Sequence, residues 1–266
     1  MRSQVGSCVR RRATVTAVND PLAPLAELPG VADASERVRE AVGKAHRHRV
    51  NLRGWPATAA EAAVRAAQAS SMLDRGAPRF PAEGLVSGPI LAGALRVAEV
   101  LEGGQTALIG VWQRAPLQAL ARLHALAAAD LVEADALGRP RVQDDVANRL
   151  DLLAGLLTGG SAAPAPVLAA VAHGEMLTLA PFGSADGVVA RAVSRLVTQA
   201  SGLDPHGLGV PEVYWMRHAG EYRAAAQQFA TGTADGLRQW VLLCCRALEE
   251  GASEALSIAD SASKNA

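Results

Sequence analysis

Ala180-Pro181-Phe182-Gly183-Ser184-Ala185-Asp186-Gly187-Val188-Val189-Ala190-Arg191 is the stretch on which the reading of this chain turns. It follows an apolar, helix-forming run from Val167 to Leu179 that contains Ala172-His173-Gly174-Glu175. Pro, Gly, Ser and Asp are turn formers, and they crowd residues 181 to 187. From Val188 to Ser201 a helical pattern resumes. The expectation is a short glycine-bearing loop that opens a helix. Backbone N–H groups of such a loop and of a first helical turn have no partner of their own, so together they form a nest for an anion.

Working outward, the composition is that of a helical protein. Half of the 266 residues are apolar, aromatics make up only 3%, and Ala and Leu dominate. These are strong helix formers, and β-branched runs are few. The length suits one large domain or two small ones. Lys+Arg and Asp+Glu are equal at 26 each, so no basic excess points to nucleic acid or to an anionic membrane surface. No apolar run reaches the roughly 18 residues of a membrane span. Cys8, Cys244 and Cys245 form no C-x-x-C. An odd count without that spacing argues against a disulfide framework or a zinc site, and for inert thiols in a reducing cytoplasm. Arg10-Arg11-Arg12 is followed by no apolar segment of signal-peptide type. Residues 1–20 read as a disordered extension and 257–266 as a disordered tail.

Between them the pattern predicts helices over Val31 to about Val50, with Asp33 and Ser35 as cap candidates, and over Ala59 to Leu73. Gly54-Trp55-Pro56 reads as a break before the second, with Thr58 and Glu61 as its capping box. Further helices are expected from Pro89 to about Leu101, from Pro116, from Asp144 to Leu157, from Val167 to Leu179, from Val188 to Ser201, from Tyr222 to Ala230 and from Leu237 to Ala255. His46-Arg47-His48-Arg49 places cations at a helix C-terminus, where the macrodipole favours them. The residues alone thus give a single all-α domain over 21–256. There is no G-x-G-x-x-G after a strand, no P-loop, no H-E-x-x-H and no G-x-S-x-G.

The order of several pieces adds a resemblance. Residues 180–191 resemble H-P-F-x-D/E-G-N-G-R-x-x-R, the core motif of Fic-domain (Fido-fold) proteins, and share its Pro, Phe, second Gly and final Arg. Ala172-His173 with Met176 and Leu179 resembles the family's lead-in A-H-x-x-F-x-x-I. Gly202-Leu203-Asp204-Pro205, and then Tyr222-Arg223-Ala224-Ala225, Gly232 and Trp240, are similar to its later blocks. Upstream, Leu123-His124 and Gly138-Arg139-Pro140-Arg141 resemble L-H and G-x-Y-R, and Ser70-Ser71-Met72-Leu73-Asp74-Arg75-Gly76 resembles the autoinhibitory S-S-x-I-E-G. The pieces span about residues 60 to 256.

The resemblance implies a Fic-like helical domain, with a short β-hairpin flap as an optional addition and an inhibitory-helix-like segment near 59–76. It also implies AMP transfer from ATP with magnesium, and it is here that this chain departs. Ala180 stands where the family has its base and cannot accept a proton. Ser184 stands where the family has a metal-binding acid. Asp186 and Val188 replace the Asn and first Arg that hold phosphates, and losing several charge-assisted contacts weakens a nucleotide by orders of magnitude. An alternative register sets Asp186-Gly187 on the family's Asp-Gly and would restore a metal ligand.

The candidate anion-site residues are Gly183, Ser184, Gly187 and Arg191. The last either reaches an anion or salt-bridges Asp186 or another acid. Candidate catalytic groups are His173 and Asp186, and no metal site is assigned. Because Val188 has replaced the Arg expected to pair with the inhibitory acid, Ser70, Ser71 and Asp74 are expected to be structural. The resulting expectation is a pseudoenzyme inactive in AMP transfer that binds a protein or a nucleotide-like ligand, with homo-oligomerisation open. The alternative is altered phosphoryl or nucleotidyl transfer on the same scaffold.

Overall fold

A computed structural model of the chain describes residues 20–75, 88–103 and 107–264. The helices are α1 (Ala23–Ala26), α2 (Val31–His46), α3 (Asn51–Arg75), α4 (Pro89–Leu101), α5 (Ala107–Arg114), α6 (Pro116–Ala127), α7 (Asp144–Gly155), α8 (Ala165–Leu179), α9 (Asp186–Ala200), α10 (Pro211–Arg217), α11 (Ala219–Ala230) and α12 (Ala234–Lys264). A π-helical turn, Leu156–Gly160, follows α7. Among the described residues there is no strand, so the all-α class holds and the optional β-hairpin flap has no counterpart there.

The architecture is organised around α8. Its sequence is apolar on every side, and a helix of that kind has to be buried all round. Val167 and Ala170 belong to a core formed with α2, α3, α10, α11 and α12, where Trp215 and Trp240 are buried. Ala169, Ala172, Met176 and Leu179 belong to a second core formed with α4, α5, α6, α7 and α9. One helix thus serves as the wall common to both cores. It packs closely on α9, which returns directly from the motif loop. The Trp240 indole fixes the depth of α8 by donating to the Ala170 carbonyl at 2.7 Å.

Four sequence expectations need correction. Gly54-Trp55-Pro56 is not a break, because α3 runs through Pro56 for 25 residues. Proline removes one helical donor, and tertiary partners hold the turn together. Asn51 donates to the Ala45 carbonyl, Thr58 donates to Asn51, and the Trp55 ring stacks on His206 at 4.1 Å. Thr58 is therefore a buried tie inside the helix and not its cap. The helix from Val31 ends at His46, short of Val50, and its N-cap position is the left-handed Gly30. The tail expected to be disordered over 257–266 is helical to Lys264. Ala255, Ile258 and Ala259 are buried there, and that packing extends α12. Finally, α5 and α10 are present where no helix was expected. Of the extension expected at 1–20, residues 1–19 lie outside the described residues, and Asp20 is held by the Leu22 and Ala162 N–H groups.

Candidate functional site

The loop between α8 and α9 is built by two left-handed alanines. Ala180 (φ 41°, ψ 59°) closes α8 and Ala185 (φ 51°, ψ 13°) opens α9. Such a conformation crowds Cβ and costs about 1 kcal/mol for a residue other than Gly, so neighbours have to hold it. Arg141 does so from outside. Its guanidinium donates to the Leu179 and Ala180 carbonyls at 2.8 and 3.1 Å, and its backbone N–H donates to Pro181 at 2.7 Å. Those are the orphan carbonyls of a helix end, where a cation is favoured.

His124 holds the loop from beneath. Its ring stacks on Phe182 with centroids 4.1 Å apart. Nδ1 lies 2.9 Å from the Gly138 backbone nitrogen and accepts its proton. The neutral ring then carries its hydrogen on Nε2, which donates to Ser184 Oγ at 3.0 Å. Burial keeps the His124 pKa below the ordinary histidine value. His124 is in this way an anchor for Ser184, and it has no lone pair left to act as the base for that hydroxyl.

The anion nest is filled from within. The Asp186 carboxylate turns back and accepts the Phe182 N–H at 2.9 Å, while the Gly183 N–H goes to the Ala180 carbonyl at 3.3 Å. Burial raises the Asp186 pKa from the ordinary aspartate value, against the neighbouring loop N–H groups and the nearby Arg141. Asp74, at the C-terminal end of α3, lies so close to Gly187 that a Cβ there would come within 2.4 Å of Asp74 Oδ1. This glycine is needed because α3 brings a carboxylate against the first turn of α9.

Asp74 Oδ1 also accepts from Arg191 Nη2 at 2.7 Å. Arg191, 2% exposed, gives its other donors to the Ser70 hydroxyl (2.8 Å) and the Ser70 carbonyl (3.0 Å). Burial works against its charge, but the Asp74 carboxylate and Tyr222 outweigh that and hold the pKa above the ordinary arginine value. Of the two readings left open for Arg191, the structure therefore gives a salt bridge, and its partner is Asp74 rather than Asp186. No pairing of the α3 acid with position 188 is made, as expected from the valine there; Asp74 pairs instead with Arg191, the last Arg of the stretch. Ser71 plays no part in this and donates to the Gln68 carbonyl.

His173 lies elsewhere. It is fully buried among Trp215, Trp240 and Tyr222, with Nε2 2.8 Å from the Tyr222 hydroxyl. Arg191 can only donate to that hydroxyl, so Tyr222 in turn donates to His173. The chain of contacts His173–Tyr222–Arg191–Asp74 connects α8, α11, α9 and α3. Burial drives the His173 pKa well below the ordinary value, and the Arg191 charge adds to it.

The open space at the loop is a pocket of about 510 Å³ lined by Asp74, Ile90, Ala127, Leu131 and residues 183–188. His173 and Arg191 are not among its walls. In that lining Ser184 is engaged by His124, the Asp74 and Asp186 carboxylates both face the pocket, and Arg191 is turned toward α3. Among the described residues no group of three or more His, Cys, Asp or Glu could hold a metal ion. His124 and Arg141 are the site residues whose roles sequence reasoning missed. Leu123-His124 and Gly138–Arg141 were visible as motifs, but no local signal ties them to a loop about 40 to 60 residues later.

No protein-family model matches the chain, and no curated protein matches it. A solved structure does: the chain is similar to a Fic family protein from Desulfovibrio desulfuricans G20, with a TM-score of 0.67 and 18% identity over 86% of this chain and 74% of that one.

Proposed function

We propose that this Fic-fold protein is a pseudoenzyme, inactive in AMP transfer, that acts by binding a protein partner. The fold is that of the Fic family. The observation that supports the rest is the pair of carboxylates set against the motif loop. Asp186 takes the Phe182 N–H, and Asp74 takes Arg191 while sitting against Gly187, the place where the family resemblance would put phosphates. An incoming triphosphate would have to displace two carboxylates and break a buried charge pair before making any contact of its own. Ala180, opposite, has no atom that accepts a proton. The alternative of altered transfer chemistry keeps Asp186 and Asp74 as the titratable groups among the described residues lining the pocket, with Asp74 already paired to Arg191 and His173 in the aromatic core. Buried, weakly acidic thiols at Cys244 and Cys245 support a reducing, cytoplasmic setting. Among the described residues no helix is long and apolar enough to cross a membrane.

The test is calorimetric titration with ATP, ADP and AMP, with and without magnesium. The expected outcome is no heat of binding at millimolar nucleotide. Magnesium-dependent binding would overturn the reading in favour of the altered enzyme.

A further inference from the structure

Helices α10 and α12 enclose another pocket, of about 450 Å³, that shares no residue with the pocket at the motif loop. Its volume falls within the range of small-ligand sites, about 300–1,000 Å³. Val210 and Val213, both buried, give it an apolar floor. One close approach holds that floor in place. The Val210 N–H donates to the Gly251 carbonyl at 3.1 Å, and a Cβ on Gly251 would stand 2.6 Å from the Pro211 nitrogen. One wall is aromatic, because the Tyr214 and His218 rings stack with centroids 4.2 Å apart. The orientation of His218 is fixed as well. Its Nδ1 lies 3.0 Å from the Tyr214 carbonyl, which only accepts, so Nδ1 carries a hydrogen and Nε2 is left for another contact. Burial, with Glu221 nearby, raises the Tyr214 pKa above the ordinary phenol value, so its hydroxyl stays a donor.

We propose that this pocket binds a small organic monoanion, an aromatic carboxylate, with its carboxylate on Arg217 and its ring over the valine floor beside Tyr214. The charges select the anion. Both acids that line the pocket are already balanced: Glu250 accepts from Arg246 at 2.7 Å, and Glu254 is paired with Arg65. Arg217 also lines the pocket, is exposed at the end of α10, and among the described residues makes no salt bridge. One positive charge therefore faces the pocket without an opposite. A guanidinium matches a carboxylate with two parallel hydrogen bonds. A single negative charge fits better than two. A phosphate monoester carries about −1.5 to −2 at neutral pH and would meet one free cation with two glutamates on the same walls. The apolar floor and the aromatic wall select a flat body over a polar one. The proposal is independent of what the motif loop binds.

The experiment titrates the full chain with sodium 3-phenylpropionate while the ring resonances of Tyr214 and His218 and the methyl resonances of Val210 and Val213 are followed. The expected result is saturable shifts at all four residues, with a dissociation constant on the order of 1 mM. Arg217 is exposed, so Arg217→Ala leaves the fold intact, which an unchanged thermal midpoint verifies. That variant should bind about fivefold more weakly, and Arg217→Lys should recover part of the loss. In the parent, the neutral 3-phenylpropanamide should be weaker than the acid by a similar factor. An absence of saturable shifts would overturn the proposal. So would equal affinities for acid and amide, which would make the pocket merely apolar. Phenyl phosphate bound more tightly than the carboxylate would overturn the choice of a single charge. Tighter binding of free phenylalanine would overturn it too, by showing that the glutamates take an ammonium group.

Discussion

At the scale of single residues, the site is defined by two carboxylates, Asp186 against the loop and Asp74 against the first turn of α9. Arg191 is buried and its charge is balanced by Asp74, whose side chain is 22% exposed. Breaking a buried pair by removing one partner leaves an uncompensated charge. Asp74→Asn keeps the shape and one acceptor, so it should lower unfolding stability by about 2 kcal/mol in urea titration. A loss under about 0.5 kcal/mol would mean that Ser70 and Tyr222 suffice for Arg191. A second prediction concerns the loop backbone. Ala185 is left-handed with φ 51°, and glycine removes that strain at some cost in chain entropy. Ala185→Gly should therefore raise stability by about 0.5–1 kcal/mol, read as a higher thermal midpoint. The resemblance located these residues in the sequence. It could not show which arginine the acid of α3 would find, because that choice depends on how α3 and α9 cross, 117 positions apart.

At the scale of elements, most helices were legible from their own periodicity, and the discrepancies have a common cause. Helix α3 runs through a proline and α12 runs ten or so residues past the expected end. In both cases buried contacts, Trp55 on His206 and Ile258 in the core, override local propensity. The short α5 and α10, of eight and seven residues, were too brief for periodicity to reveal. Close approach of elements is encoded in single glycines. Gly93 of α4 faces α6 so tightly that a Cβ would stand 2.0 Å from the Ala127 carbonyl oxygen. Gly93→Ala must push two backbones apart and should cost about 2–3 kcal/mol. Gly155 is helical and has nothing within 4 Å of its missing Cβ. Gly155→Ala should stabilise by up to about 1 kcal/mol. Opposite shifts of the thermal midpoint in the two variants are expected, and shifts of the same sign would refute this account of the α4–α6 contact.

At the scale of the whole molecule, the two cores and the site are held together by buried polar groups, and these make stability depend on pH. His124, His173 and His206 all have pKa values held below the ordinary 6.5, in each case chiefly by burial. Among the described residues, the buried Nδ1 atoms of His173 and His206 find no hydrogen-bond partner. In the unfolded chain these rings take up protons near pH 6.5. In the folded chain they do so only at lower pH, so between the two values the unfolded state binds more protons. Stability then rises with pH across that window, and it falls as pH drops below about 6.5. The lowered carboxylates pull in the same direction only further down: Asp204, buried but held by His46 and two backbone N–H groups, loses its contribution below the usual carboxylate range. Asp186 runs the other way, because a raised carboxyl pKa favours the folded state at low pH. Three rings oppose this one carboxyl, and the rings set the sign. Urea midpoints measured at pH 5, 6 and 7.5 should therefore climb in that order. His173, the ring with the largest displacement, should dominate the slope. In His173→Asn the whole curve should lie lower, because Tyr222 loses its acceptor, but it should be flatter between pH 5 and 6.5. A variant slope as steep as the parent's would show that the proton uptake belongs to another group.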